Sequence, residues 1–117
     1  MTRVGVIGVG GMGACHARHV AGLAGAELAW VADPDEGAGL ALADELGCEW
    51  VAEGMDRIDE ADALVIACPD RFHHRYVMAG LERGVPILAE KPLTVELADA
   101  REIVDTEVAL SLSLIHI

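Results

Sequence analysis

Val4-Gly-Val-Ile-Gly-Val-Gly-Gly-Met-Gly-Ala14 joins a short apolar run to a glycine-rich turn and to the start of a helical pattern. Within this stretch, Gly8, Gly10 and Gly13 have the spacing G-x-G-x-x-G. The first glycine of such a motif permits a tight turn, the second lets the backbone approach a pyrophosphate, and the third lets the helix pack closely on the sheet. Because a strand pattern precedes the motif and a helix pattern follows it, we predict a dinucleotide site rather than an ordinary turn.

On either side of the motif, strand-like and helix-like segments alternate, which predicts parallel strands joined by crossover helices. The predicted strands are residues 3–7, 27–32, 50–52, 63–68 and 85–89, and the predicted helices are about 12–24, 34–46, 71–83 and 95–105. Residues 54–61 are polar and ambiguous, whereas 110–114 alternate with period two and would form a strand beside a neighbour. We therefore predict an α/β fold, a Rossmann-type doubly wound parallel sheet in three layers. The expected strand order is 3-2-1-4-5, with a possible sixth strand from the tail.

The composition indicates which classes of protein and partner fit this chain. The 117 residues are 53% hydrophobic, which suits one domain with one core, and the net charge of −12 argues against nucleic acid as a partner. Three widely spaced cysteines form no Cys-x-x-Cys pair, so they are expected to be core residues. No apolar stretch approaches the roughly 18 residues of a membrane helix. We expect a cytoplasmic protein that does not bind membranes.

Asp33 lies twenty residues after Gly13, at the end of the second predicted strand. A carboxylate there can accept hydrogen bonds from the adenosine ribose hydroxyls, which favours NAD over NADP as the cofactor. Asp33 also fits a second role, because it precedes Pro34 and could cap the following helix. The glycine motif upstream favours the ribose role.

Lys91 follows the fifth predicted strand and so lies at the carboxyl edge of the sheet, where open α/β sheets bind ligands. Glu90 and Lys91 could equally form a solvated ion pair. Four histidines, at 16, 19, 73 and 74, raise the possibility of a metal site. Neighbouring residues of a helix point apart, and no carboxylate completes a ligand set, so we expect no metal and assign His74 to capping or packing.

Three groups of residues together resemble the Gfo/Idh/MocA oxidoreductases, which include inositol dehydrogenases and glucose-fructose oxidoreductase. They are Val6-Ile-Gly-Val-Gly-Gly-Met-Gly13 with His16, Ala67-Cys-Pro69 with His73, and Gly84-Val-Pro-Ile-Leu-Ala-Glu90-Lys91-Pro92. The resemblance runs from about residue 3 to residue 105, and the Glu-Lys-Pro signature is its most specific part.

The resemblance implies hydride transfer between NAD or NADP and a sugar or polyol carbinol, and Asp33 favours NAD. It implies a catalytic role for Lys91, which in the family assists proton transfer or orients the reacting hydroxyl. The implied cofactor-binding residues are Gly8, Gly10, Gly11, Met12, Gly13, Asp33, Cys68, Pro69, His73 and Glu90. Of these, Pro69 and His73 are expected on the nicotinamide side.

Members of the family carry a second, sheet-rich domain that supplies an Asp and a His to the relay and shapes the sugar site. We expect residues 1–105 to be the dinucleotide-binding Rossmann domain and the substrate domain to be absent. Residues 106–117 are expected to be a tail that departs from the family pattern, for which a truncation artefact is one explanation. The chain alone is then expected to bind nucleotide without full activity, whereas the parent enzyme is expected to be a homo-oligomer. The alternative is a non-catalytic Rossmann module that senses nucleotide or mediates an interaction; an amino-acid dehydrogenase fits the Glu-Lys-Pro signature less well.

Overall fold

The computed structural model describes residues 1–91, 94–110 and 114–116, and for Leu110 and residues 114–116 it describes the backbone only. Six parallel strands form one sheet in the order β3-β2-β1-β4-β5-β6. The strands are β1 (Thr2–Ile7), β2 (Ala26–Ala32), β3 (Glu49–Val51), β4 (Ala63–Ile66), β5 (Ile87–Ala89) and β6 (Leu114–His116). The predicted order and the sixth strand are confirmed.

Four α-helices cover the sheet: α1 (Gly11–Ala21), α2 (Glu36–Leu46), α3 (His73–Glu82) and α4 (Leu97–Leu110). Two separate apolar clusters show the three layers. Ala17 of α1 and Leu42 of α2 pack with Val6 in one cluster. Val77 of α3 packs with Ile103 of α4 in the other, which also includes Trp30 of β2. The predicted Rossmann-type α/β architecture is confirmed.

Helix α1 is shorter than predicted, because it is capped by Gly22, whose N–H bonds back to the carbonyls of Arg18 and His19, while the Leu23 N–H bonds to that of Val20. Gly25 then takes a positive φ of 83° and turns the chain into β2. Leu23, which falls within the predicted helix 12–24, lies beyond its end and is 59% exposed. The helix packs instead through Gly13 and Ala17, whose small size brings it close to the sheet.

Several other boundaries differ from the prediction. Helix α2 begins at Glu36 rather than at Pro34. The segment 54–61, which the sequence left ambiguous, contains a 3₁₀ helix (Gly54–Glu60), and a short 3₁₀ turn (Asp70–Phe72) precedes α3. Strand β4 ends two residues early at Ile66, and β5 begins only after Pro86, because proline cannot donate a ladder hydrogen bond.

Helix α4 runs through the boundary expected at residue 105, and β6 beyond it pairs in parallel with β5. The spacing of apolar residues in this helix predicts an inward face of Leu97, Ala100, Ile103 and Val104. Ile103 is fully buried, but Leu97 and Val104 are 77% and 43% exposed, so the inward face is narrower than predicted. In the described part of the chain, no helix is long and apolar enough to cross a membrane.

The strand order positions the site. The chain leaves β1 for β2 on one side and returns to β4 on the other, so the carboxyl ends of β1 and β4 are neighbours in the sheet. Open α/β sheets bind ligands in the crevice at such a switch point.

Candidate functional site

The glycine loop after β1 is tightly packed on one side and open on the other. Gly8 has a φ of 94°, and a Cβ atom there would lie 2.5 Å from the Cys68 amide nitrogen at the end of β4. A Cβ on Gly13 would lie 1.8 Å from the Gly8 carbonyl oxygen. At Gly10 and Gly11, by contrast, a Cβ would meet nothing within 4 Å. The loop therefore presents bare backbone to its open side, where α1 begins.

The start of α1 is suited to an anion. Gly10 is the N-cap residue and has no side chain to bond the first N–H groups, and the first turn of the helix contains no acidic residue. The first N–H groups of a helix lack partners within it and carry partial positive charge. Met12 is 56% exposed in this first turn. Gly10, Gly11, Met12 and Gly13 therefore lie together as predicted, around an exposed helix N-terminus.

Asp33 ties this loop to the end of β2. Its Oδ2 accepts a hydrogen bond from the Val9 amide at 3.0 Å, and its Oδ1 accepts from the Asp35 amide at 2.8 Å. The indole Nε1 of Trp50 donates to the Asp33 carbonyl at 3.0 Å. A carboxylate has about four acceptor positions, so Asp33 can still accept from a ligand hydroxyl.

The alternative role of Asp33 as a helix cap is wrong. Asp35 is the N-cap of α2, and its Oδ1 accepts from the Ala38 amide at 3.2 Å. The helix begins two residues later than the Pro34 pattern suggests, because Asp33 is engaged by the glycine loop and Asp35 takes its place.

A cavity of about 390 Å³ opens beside Asp33, between the ends of β1, β2 and β4. Ligand pockets in proteins start at roughly 300 Å³. The residues that line it include Gly8, Asp33, Pro34, Cys68, Pro69 and Arg71. The guanidinium carbon of Arg71 lies 4.7 Å from the centroid of the Phe72 ring, so a planar cation borders the cavity. Its volume and its lining suit a nucleoside.

Glu53 lines the cavity and is hydrogen-bonded to two other lining residues, Arg75 and Tyr76. It accepts hydrogen bonds from the Tyr76 hydroxyl at 2.5 Å, the Arg75 guanidinium at 2.7 Å and the Met55 amide at 3.1 Å. Burial by itself raises the pKa of Glu53, but these three hydrogen bonds outweigh that effect and lower it. Burial, followed by the bond to Glu53, raises the pKa of Tyr76. The wall is thus fixed by a carboxylate that stays ionised and a phenol that stays neutral.

His73 lies beneath the cavity. Its ring is 1% exposed, and its Nε2 is 2.7 Å from the Cys68 carbonyl oxygen, which fixes the turn that carries Pro69. Burial raises the pKa of the Cys68 thiol to about 11, so the thiol is neutral near pH 7. The geometry makes His73 a support for the Cys68–Pro69 backbone, and Pro69 borders the cavity on the Asp33 side.

Glu90 and Lys91 follow β5 at the same edge of the sheet. The Glu90 amide donates to the Ile66 carbonyl at 3.0 Å, and its carboxylate contacts His16 of α1 at 2.5 Å. Lys91 is exposed, and Pro92 lies outside the described residues. The sequence motif therefore does not form a simple Glu-Lys pair, because the carboxylate of Glu90 is engaged by the histidine.

The predicted cofactor-binding residues lie on one edge of the sheet, but sequence reasoning missed part of the cavity. Arg71, Glu53 and Tyr76 were not predicted as site residues. Arg71 could have been found, since it follows Pro69-Asp70 at a strand end. Glu53 and Tyr76 are 23 residues apart and give no local signal.

Two of the histidines considered for a metal make pairwise contacts instead. His74 Nε2 is 2.9 Å from Glu102, which links α3 to α4. His16 pairs with Glu90, as described above. Across the ranges 1–91 and 94–110, no three His, Cys, Asp or Glu residues are grouped to hold a metal ion.

Comparison with known proteins decides the family. The model of the Gfo/Idh/MocA oxidoreductase family, described as an oxidoreductase family with an NAD-binding Rossmann fold, matches residues 2–115. The chain belongs to this family. The match extends ten residues beyond the region of resemblance seen in the sequence, into β6.

Individual relatives agree with this assignment. Inositol 2-dehydrogenase 1 of Saccharopolyspora erythraea is 46% identical over 112 residues, which are 92% of this chain and 33% of that protein. The UDP-N-acetylglucosamine 3-dehydrogenase GnnA of Acidithiobacillus ferrooxidans has a TM-score of 0.88 at 30% identity, covering 98% of this chain and 37% of its own. GenD2 from gentamicin A biosynthesis, solved in complex with NAD, has a TM-score of 0.90 at 28% identity, and the match covers 98% of this chain and 34% of GenD2. The chain spans about a third of the length of these relatives.

Proposed function

We propose that this chain is the cofactor half of an NAD-dependent oxidoreductase that interconverts a secondary alcohol and a ketone on a polyol or sugar ring. The observation that carries the proposal is the glycine loop, which Asp33 holds in place and which is open at Gly10 and Gly11. The family assignment and the nucleoside-sized cavity beside Asp33 support it.

Asp33 and the cavity would hold the adenosine end of NAD. The carboxylate can accept hydrogen bonds from the ribose hydroxyls while still accepting from the Val9 amide. Its negative charge would repel the 2′-phosphate of NADP, so NAD is the expected cofactor. Arg71 offers a planar cation to one face of the adenine, since guanidinium groups stack on aromatic rings.

The open side of the loop would hold the pyrophosphate. The whole chain carries a net charge of −12, so an anionic cofactor needs local attraction to overcome the overall field. The bare backbone at Gly10 and Gly11 and the first turn of α1 supply it through N–H groups and the helix dipole. Met12, exposed in the same turn, would cover the cofactor from above.

Glu90 and Lys91 would lie at the nicotinamide end, with the Cys68–Pro69 turn held by His73 between the two ends. When bound, NAD supplies the hydride acceptor. Lys91 would orient the hydroxyl of the alcohol as a hydrogen-bond donor, or take up its proton when the amine is in the neutral form, because it lies exposed at the edge of the sheet.

The substrate class follows from the relatives. They are named for dehydrogenation of inositol and of UDP-N-acetylglucosamine, and both molecules carry ring hydroxyls. We infer that the substrate of the complete protein is a polyol or a sugar. The relatives are about three times as long as this chain, so further residues would complete the substrate site.

Calorimetric titration with NAD tests the proposal directly. The chain is expected to bind NAD more tightly than NADP, and Gly10→Ala is expected to weaken NAD binding at least tenfold without lowering the melting temperature. The new methyl meets nothing in the protein but occupies the path of the pyrophosphate. Gly22→Ala, at the far end of α1, is the matched control and is expected to bind normally. Absence of NAD binding by the folded chain contradicts the proposal.

A second experiment separates the enzyme from a module that only senses nucleotide. In the complete protein, Lys91→Met is expected to abolish most turnover while leaving NAD affinity within about threefold. Unchanged turnover would remove the catalytic assignment of Lys91.

A further inference from the structure

The contact between His16 and Glu90 joins two distant parts of the chain beside Lys91. His16 lies in α1, and Glu90 follows β5, 74 residues later. Nε2 and Oε1 are 2.5 Å apart, and the two side chains are only 18% and 15% exposed. Because a carboxylate accepts hydrogen bonds, Nε2 carries the shared proton. The pair is thus a directed, partly desolvated hydrogen bond.

Glu90 is held at two points. Its amide donates to the Ile66 carbonyl at the end of β4, at 3.0 Å, and its side chain is held by His16. Because both the backbone and the side chain of Glu90 are held, the position of the Lys91 Cα atom is restricted as well, since successive Cα atoms are about 3.8 Å apart. Lys91 itself is exposed and can reach a ligand.

His16 also determines what the Glu90 carboxylate can do. A free carboxylate next to a lysine in the sequence attracts the ammonium group, and a partly buried carboxylate without a donor is destabilised by lost solvation. By donating to Oε1, His16 satisfies the carboxylate and directs it toward α1. The amine of Lys91 is then available for the substrate instead of being held by its neighbour.

We propose that His16 is a positioning residue for Lys91. It acts through Glu90 and sets the distance between the helix that receives the pyrophosphate and the segment that carries the catalytic amine. This inference rests on the proposed function, because it assigns His16 a role in the same site. His16 need not touch the cofactor or the substrate.

The sequence offers an unusually clean probe, because Lys91 is the only lysine among the 117 residues. Reductive methylation with ¹³C-formaldehyde therefore labels Lys91 and the terminal amine, and the Lys91 signal is identified by its absence from Lys91→Met. In the unaltered chain, NAD is expected to shift the Lys91 signal, whereas ADP, which lacks the nicotinamide end, is expected to leave it nearly unchanged.

Four variants test the role of His16. His16→Leu removes the donor and is expected to reduce the NAD-induced shift of Lys91 by at least half, while ADP affinity stays within twofold. His16→Gln keeps a side-chain N–H donor and is expected to restore most of the shift. Glu90→Ala removes the same contact from the other side and is expected to match His16→Leu; it decides the question if His16→Leu does not fold. His19→Leu changes an exposed histidine of the same helix and is the control.

The outcomes separate the two proposals. If the unaltered chain does not bind NAD, the proposed function and the role of His16 both fail. If it binds NAD and the Lys91 shift is the same in His16→Leu, or in Glu90→Ala, as in the unaltered chain, the proposed function stands and His16 is not a positioning residue. Equal loss in His16→Leu and His19→Leu also overturns the role, because the effect then follows from disturbing α1 in general.

Discussion

Gly13→Ala tests how closely α1 must approach the glycine loop. The added Cβ would lie 1.8 Å from the Gly8 carbonyl oxygen and 2.7 Å from its carbonyl carbon. Ordinary contacts between heavy atoms are about 3.5 Å, so the helix or the loop must move by about 1.7 Å. Both obstructing atoms belong to the backbone, and no side-chain rotation can relieve the overlap. Overpacking of this kind costs about 3 kcal/mol, which lowers the melting temperature of a domain of this size by about 10 °C.

The same displacement would move the amides of α1 away from the proposed pyrophosphate site. A hydrogen bond to a charged group contributes about 1.5–3 kcal/mol, so the loss of one such bond weakens NAD binding by about tenfold or more. Thermal unfolding followed by circular dichroism and calorimetry with NAD measure the two effects. Gly22→Ala is the matched control, because its nearest atoms would be 3.7 Å away. A Gly13→Ala chain with unchanged melting temperature and unchanged NAD affinity would refute the reasoning.

Three further predictions concern the cofactor preference, the acid stability and the core. Asp33→Asn leaves one acceptor oxygen for the two backbone amides, of Val9 and Asp35, that donate to the carboxylate. We therefore expect NAD to bind about tenfold more weakly and the preference for NAD over NADP to be smaller, as measured by competitive titration. The lowered pKa of Glu53 makes the folded state more stable at pH values above the ordinary pKa of 4.5, and this stability is lost as the pH falls through the pKa of the folded state. The free energy of unfolding in urea, measured from pH 6 to pH 3, should therefore depend less on pH in Glu53→Gln. An identical pH dependence would contradict the role of the hydrogen bonds. Ile103→Ala should lower the free energy of unfolding by about 2–5 kcal/mol in the same assay, because the side chain is 0% exposed. Val108→Ala, at a 72% exposed position of the same helix, should lower it by less than about 0.5 kcal/mol. Similar values for the two variants would show that α4 does not pack as described.

The features predicted correctly from the sequence have local causes. The glycine spacing and the alternation of strand and helix patterns indicate the loop and the layers, because each depends on residues close together in the chain. The strand order follows from the Rossmann-type fold that these patterns mark, since its strands pair across long stretches of chain. The tail also contains a strand, which the structure describes at residues 114–116; residues 111–113 of the alternating stretch lie outside the described residues.

The errors concern contacts between distant residues. The position of Asp33 before Pro34 suggests a helix cap as its alternative role, yet its carboxylate is engaged by Val9, 24 residues earlier. The link from His16 to Glu90 spans 74 residues and leaves no periodic signal. In α4 the apolar positions predicted a wide inner face, but the layer beneath has room for Ile103 and leaves Leu97 exposed. Which surface an element buries depends on its neighbours, which a single sequence does not specify.

The hydrogen bond from the Trp50 indole to the Asp33 carbonyl gives the domain an internal optical reporter. Of the two tryptophans, Trp30 is fully enclosed in the core, whereas Trp50 touches the residue that would receive the ribose. Emission from Trp50 should therefore respond to occupancy of the adenosine end, while Trp30 provides a constant background. Replacing Trp30 by phenylalanine would leave a single fluorophore, and stopped-flow measurements could then follow the arrival of nucleotide without any added dye.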